Sequence, residues 1–173
     1  PPRSTLFPYT TLFRSGALWL DGRRVEVPAG ESWAVLDHGR GRWPYDIAWN
    51  WGAGSGISDG RVIGVQVGGQ WTDGTGSVEN ALVVDGRLHK ISEELAWEYD
   101  SRDYLKPWRV RGETVDLAFE PFHDRRARTE LGVITAHTDQ CFGHWSGSMA
   151  DSAGERVEFA GILGWAEDVH NRW

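Results

Sequence analysis

Apolar side chains recur at every second position along much of this 173-residue chain. Ile47, Trp49 and Trp51 share one face of a predicted strand, because side chains alternate between the two faces of a sheet. Asp-Gly pairs, which favour two-residue hairpin turns, separate such runs at residues 21–22 and 85–86. Helical periodicity is nearly absent. The pattern therefore predicts an all-β chain of about ten strands.

Glycine recurs inside the predicted strands, for example at Gly64, Gly143 and Gly164. Interior glycine marks bends, bulges and close backbone approaches, and a sheet needs such bends in order to curl. We therefore expect an antiparallel curled sheet or a lipocalin-like (calycin-like) barrel of roughly eight to ten strands, with little helix. Residues 92–99 fit one helical turn or an edge strand, and residues 123–130 are predicted to form a charged loop.

The first 15 residues repeat themselves, with Thr-Leu-Phe at residues 5–7 and again at 11–13. Pro8 and several threonines interrupt the apolar residues, which excludes a secretory signal peptide. The stretch closely resembles a translated sequencing-adapter peptide. We therefore expect residues 1–15 to be a non-native segment. Residues 16–173 are expected to form a single β-barrel domain, the C-terminal part of a longer protein.

Charge and composition exclude several classes of function. A net charge of −7 argues against a nucleic-acid partner. Cys141 is the only cysteine, so neither a disulfide framework nor a cysteine-based metal site is expected, and the histidines lack zinc-like spacing. No apolar run approaches the ~20 residues of a membrane span. We expect a cytoplasmic protein, with no phosphate loop or dinucleotide motif.

The densest cluster of chemically capable residues runs from residue 37 to residue 56. It contains His38, Trp43, Trp49, Asn50 and Trp51 within a loop and the strand that follows it. Tryptophan offers a large apolar face and one N–H donor, which suits a ligand-binding wall. The stretch predicts a pocket mouth. The alternative is a tryptophan-filled barrel end capped by arginine.

A second candidate stretch contains Trp71, Asp73 and Glu79. Glu79 begins an otherwise apolar strand, where a carboxylate is costly unless it is paired, hydrogen-bonded or protonated. A protonated glutamate of this kind can act as a general acid. The alternative is a salt bridge to Arg42 or Arg61.

Two later strands add candidate ligand-binding residues. His144 lies in the strand from Gln140 to Met149, and Glu167 shares a strand face with Trp165 near the end of the chain. Cys141 has no evident activating partner and is predicted to be a small buried side chain.

Four motifs in order resemble the domain-of-unknown-function family 2804. They are W-x-W-x-x-G-x-G at residues 49–56, a Glu-led strand ending in V-D-G at 79–86, Q-x-F-G-x-x-x-G at 140–147, and E-x-x-x-x-x-W at 167–173. Members of that family are longer, which implies a missing N-terminal domain as a partner. More remotely, residues 38–51 are similar to the two-barrel, lipocalin-like carotenoid hydratases and tocopherol cyclase. That similarity implies a large apolar pocket, acid-catalysed addition or cyclisation on a lipophilic small molecule, and no cofactor.

Three functional hypotheses follow. The first is a hydratase, cyclase or isomerase with Glu79 or Asp73 as the acid, His38 as its partner, and a wall of Trp49, Trp51 and Trp71. The second is a non-catalytic binder of an apolar ligand in the same pocket. The third, ranked below them, is a glycan-binding β-sandwich. Convergence of a carboxyl group and a histidine in one pocket favours the first hypothesis, whereas an open tryptophan platform favours the third.

Overall fold

The computed structural model describes residues 9–11, 15–39 and 41–173. These residues form thirteen β-strands and contain no helix, which confirms the prediction of an all-β chain. The strands are β1 (Tyr9–Thr11), β2 (Gly16–Leu20), β3 (Arg23–Val27), β4 (Ala34–Leu36), β5 (Asp46–Ser58), β6 (Arg61–Gly69), β7 (Ala81–Val84), β8 (Arg87–Lys90), β9 (Ala96–Glu98), β10 (Trp108–Arg111), β11 (Val115–Leu131), β12 (Ile134–Ala150) and β13 (Arg156–Arg172).

Nine strands form one antiparallel sheet in the order β8-β7-β6-β5-β13-β12-β11-β10-β9. The curled antiparallel sheet predicted from the glycine-rich strands is confirmed. Two smaller pairs, β2–β3 and β1–β4, lie outside this sheet. Most of residues 1–15 lie outside the described residues, and the non-native origin of that segment stays a prediction.

Hairpin turns form where the Asp-Gly pairs predicted them. Asp21 and Gly22 have φ values of 48° and 76°, and Asp85 and Gly86 have φ values of 50° and 82°. A two-residue turn with positive φ at both positions matches the right-handed twist of the strands that it joins. Residues 59–60 make a third turn of this kind between β5 and β6. Of the two alternatives for residues 92–99, the edge strand is observed, as β9.

The charged stretch at residues 123–130 is not a loop, so that prediction was wrong. These residues continue β11 and pair with β12 along their whole length. Their charges are accommodated because partners lie across the ladder. The buried carboxylate of Asp139 in β12 accepts hydrogen bonds from Arg126, at 3.1 Å, and from Arg128. Cross-strand pairs of opposite charge stabilise a sheet where isolated charges would not.

The hydrophobic core lies on one face of the curled sheet, called the inner face here. A Cβ added to Gly52 or Gly54 of β5 would lie 2.7 Å from the Trp145 ring, so these glycines make room for the indole. Trp97 of the edge strand β9 reaches across to β6, where its indole nitrogen donates to the Gly68 carbonyl at 3.3 Å. The curl therefore brings distant strands together around the core.

Aromatic rings fill this interior. Phe119 lies 4.7 Å from Trp145, and Trp97 lies 6.4 Å from Trp145 between ring centroids. Trp108, which is completely buried, stacks on Tyr99 at 4.3 Å. Complete burial of one such side chain stabilises the fold by roughly 3 kcal/mol. The inner face is thus a packed core, and the candidate site lies on the opposite face.

Candidate functional site

A cavity of about 450 Å³ lies on the outer face of the sheet, the face that carries Trp51 and Glu167. Its walls come from the segment before β5 and from β5, β6, β13 and the loop after β6. The lining residues are Leu36, Asp37, Gly39, Trp43, Ile47, Trp49, Trp51, Gln66, Trp71, Glu79, Glu167 and Trp173. Five of them are tryptophans and three are carboxylic acids.

The strand register places Glu167 in this cavity. Glu167 of β13 lies directly opposite Trp51 of β5, so the two side chains share the outer face. On the other side, Gln140 of β12 is the register partner of Glu167, and its amide nitrogen donates to the Glu167 carboxylate at 2.6 Å. Glu167 is 7% exposed. The carboxyl group is therefore held in a fixed orientation beside the indole wall.

Glu79 was predicted to lie within a strand, but it lies two residues before β7, and the neighbouring Asn80 fixes its position. The buried Asn80 side chain accepts a hydrogen bond from the Gly68 backbone N–H at 2.8 Å and donates to the Glu93 carbonyl at 2.8 Å. A Cβ added to Gly68 would lie 3.5 Å from Cγ of Glu79, so the Glu79 side chain lies against β6 at this position. The Gln66 amide nitrogen lies 3.5 Å from the Glu79 carboxylate.

Both glutamates hold their protons more tightly than an exposed glutamate does. Burial raises the pKa of Glu79, the hydrogen bond from Trp71 lowers it, and the nearby charge of Asp37 raises it further. Burial likewise raises the pKa of Glu167, hydrogen bonds from Gln140 and Trp49 lower it, and Asp37 again raises it. Asp37 therefore lies close enough to influence both glutamates.

The salt bridge considered for Glu79 is not formed with any residue that the structure describes. Arg61 instead lies 3.6 Å from Asp85 at the β5–β6 turn. The positive charge that lowers the pKa of Glu79 is that of Lys90. The Lys90 ammonium donates to the carbonyls of Val78, Asn80 and Ile91. Burial, more than ion pairing, therefore governs the protonation of Glu79.

The loop after β6 positions Trp71. Gln70, with φ of 67°, turns the chain, and its side-chain amide donates to the Asn50 oxygen at 2.7 Å. Asn50 also donates to the Glu167 carbonyl at 3.0 Å and to the Tyr99 hydroxyl at 3.1 Å. Asn50 thus connects the Trp71 loop to the strand that carries Glu167. Across the cavity, Trp43 meets Trp71 edge-on at 5.8 Å between ring centroids.

Two buried polar atoms of the cavity residues have no hydrogen-bond partner in the described part of the chain. They are Oε1 of Gln66, a residue only 4% exposed, and the indole Nε1 of Trp51. Buried polar groups are normally satisfied, because leaving one unpaired costs about 1–3 kcal/mol. An unpaired acceptor and an unpaired donor in the wall of a cavity are the groups that a bound molecule would satisfy.

Six of the ten residues predicted from the sequence to form the site lie around this cavity, namely Trp43, Trp49, Trp51, Trp71, Glu79 and Glu167. The other four lie elsewhere. His38 and Asp73 are exposed beside cavity residues, Asn50 is buried on the inner face, and His144 is exposed on the outer face, with its ring 5.5 Å from that of Phe122. The functional roles of all ten residues stay predictions.

Sequence reasoning did not select Asp37, Gln66 or Trp173, which also line the cavity. Gln66 did carry a signal, since it is a polar residue between the valines of an apolar strand. Trp173 is brought to the cavity by the backbone hydrogen bond from its N–H to the Tyr45 carbonyl at 3.1 Å. A contact between the last residue and the segment before β5 has no signature in sequence spacing.

The described residues include no group of three or more His, Cys, Asp or Glu arranged to hold a metal ion. Along the same part of the chain, no helix is long and apolar enough to cross a membrane.

Comparison with known proteins matches residues 9–173 to one family, described as a domain of unknown function, DUF2804. No curated protein shows a significant match to the chain. No solved structure shows one either.

Proposed function

The chain belongs to the DUF2804 family, whose description assigns no activity, and we propose from the site itself that it binds a lipophilic small molecule in the outer-face cavity. The observation that carries this proposal is a 450 Å³ space walled by five tryptophans. Pockets for small molecules have this size and are lined mainly by apolar and aromatic side chains with a few polar groups.

The direct test uses the neutral lipophilic dye N-phenyl-1-naphthylamine, whose fluorescence rises when it leaves water. We expect saturable binding at one site. Trp71→Ala should weaken binding about tenfold, because the indole forms a wall of the cavity. Trp19→Ala is the matched control, since Trp19 is 69% exposed on the β2–β3 hairpin and does not line the cavity. Absence of saturable dye binding would contradict the proposal.

A second candidate function is proton transfer to the bound molecule, in the manner of a hydratase, cyclase or isomerase. Its support is the pair of glutamates, Glu79 and Glu167, whose burial raises both pKa values within one cavity. A protonated Glu79 would donate its proton to an alkene carbon, and indole faces would stabilise the resulting cation. In a hydration, a water oxygen would then bond to the cation and return a proton to the carboxylate.

The described lining holds three carboxyl groups but no imidazole, so the acid–base pair in this candidate is carboxyl with carboxyl. Conversion of an isoprenoid alkene, followed by mass spectrometry as the gain of one water or as an isomer of equal mass, tests it. Glu79→Gln should keep dye binding and lose turnover. Turnover that survives this substitution removes Glu79 from the acid role.

A further inference from the structure

The residues of the cavity wall indicate which class of lipophilic molecule the cavity would bind. We infer that the cavity selects an organic cation, an apolar body that carries an ammonium group. This inference rests on the proposed binding function and adds the charge of the ligand to it. Three independent features of the wall lead to it: its aromatic faces, its carboxyl groups and its unpaired acceptor.

The wall of the cavity is rich in aromatic rings. Trp43 and Trp71 meet edge-on, and Trp49, Trp51 and Trp173 complete the wall. Trp51 is itself held edge-on against Trp165, at 5.2 Å between ring centroids. An indole face attracts a cation through its quadrupole more strongly than the other aromatic rings do, and cages of several rings are a recurrent means of binding ammonium groups. A neutral ligand gains only the burial of apolar area from the same rings.

The charged residues that the structure describes in the wall are all acidic. The lining includes Asp37, Glu79 and Glu167, and no lysine or arginine among the residues that the structure describes. The basic groups that act on these acids from neighbouring strands are Lys90, on Glu79, and Arg125, on Glu167. Neither lines the cavity, and the Lys90 ammonium already donates to three backbone carbonyls. An opposite charge that enters the cavity stabilises the ionised form of these carboxyl groups.

The unpaired acceptor is independent of the acids. Gln66 is 4% exposed, its amide nitrogen lies toward Glu79 at 3.5 Å, and its Oε1 has no partner in the described chain. A buried amide oxygen without a donor is costly. An ammonium N–H supplies that donor, whereas a hydrocarbon does not. Gln66 and the two glutamates thus line one cavity together with the indole rings.

The test compares two molecules that share one apolar body. One is 4-tert-butylbenzylamine, which is protonated at neutral pH, and the other is the neutral 4-tert-butylbenzyl alcohol. Each displaces the bound dye N-phenyl-1-naphthylamine from the complete chain. We expect the amine to displace the dye at a concentration about tenfold lower than the alcohol does. The preference should grow as the pH rises through the raised pKa values of the two glutamates, because only the cation gains from their ionisation.

Glu79→Gln should remove most of this preference by lowering the affinity for the amine more than the affinity for the alcohol. Glu158→Gln is the matched control, because it removes the same charge from an exposed position outside the cavity. Equal displacement by amine and alcohol, with the dye bound, overturns the inference and leaves the binding function intact. Failure of the dye and of both molecules to bind overturns the binding function, and the inference with it.

Discussion

Glu79 carries an acidic group into a cavity whose walls are largely indole. The sequence identified this residue because it is an acidic residue at the start of a predicted apolar strand, and the structure adds the environment: Asn80 anchors the backbone and Asp37 lies near. Burial of an acid raises its pKa, since the charged form loses more hydration than the neutral form does. The raised pKa of Glu79 also makes the stability of the folded protein depend on pH.

Glu79→Gln should change the pH dependence of stability. Below the ordinary value of 4.5 the carboxyl group is protonated in both folded and unfolded chains and has no effect. Above it the unfolded chain ionises more readily than the folded one, so the wild-type protein loses stability as pH rises through the raised pKa. The neutral glutamine avoids this loss. Thermal melting at about pH 4 and about pH 8 should therefore show the variant gaining relative to wild type at the higher pH.

Glu158→Gln serves as the control for that comparison, because Glu158 is exposed. A wild-type protein that gains stability relative to Glu79→Gln at the higher pH would show that ionisation of Glu79 favours folding.

Adding one methyl group at Gly54 tests how tightly the inner face is packed. A Cβ at this position would lie 2.7 Å from Cδ1 of the buried Trp145 ring and 3.3 Å from the Leu163 carbonyl oxygen. Gly54→Ala should lower the free energy of unfolding in urea by about 1–3 kcal/mol, because the ring cannot move without disturbing a packed core. Gly16→Ala should change it by less than about 0.5 kcal/mol, because no atom of the described residues lies within 4 Å of a Cβ added there. Equal effects at both positions would contradict the packing described.

Strands β11 and β12 show where sequence pattern predicts an element and where it does not. Val115, Leu117 and Phe119 lie at alternate positions, and this pattern predicts a strand. The continuation through residues 123–130 was not, because its charges resemble a solvated loop until their partners on β12 are known. Side-chain periodicity reports local burial, whereas the ladder here depends on contacts between residues far apart in sequence.

Asp139 is the residue on which that continuation depends most. Its side chain is 3% exposed and accepts hydrogen bonds from two arginines of β11. Asp139→Asn should cost about 1 kcal/mol in urea unfolding, because a neutral amide at this buried position accepts weaker hydrogen bonds from the two arginines than the carboxylate does. Glu130→Gln, which removes the exposed contact with His137, should cost less than about 0.5 kcal/mol. A cost for Asp139→Asn no larger than that of the control would mean that the ladder does not need the ion pair.

For the whole molecule, the sequence predicted a curled all-β sheet and a tryptophan-lined site. It did not indicate that some tryptophans pack in the core while others line the cavity on the opposite face of the sheet. Trp97, Trp108 and Trp145 pack inside the curl, whereas Trp49 and Trp51 line the cavity outside it. A period of two assigns residues to faces, but the direction in which the sheet curls decides which face becomes the core. Gly52, Gly54 and Gly69 make room for the rings of Trp145 and Trp97, and no alternation pattern encodes this close packing.

The central claim is that the outer-face cavity, and not the packed interior, receives the ligand. Two-dimensional ¹H–¹⁵N spectra of the indole N–H groups, assigned by Trp→Phe variants, test it during titration with 4-tert-butylbenzylamine. We predict shifts for the indoles that line the cavity, at residues 43, 49, 51, 71 and 173, and unchanged signals for Trp108 and Trp145. Shifts confined to the interior indoles, or no shifts at all, would contradict the account.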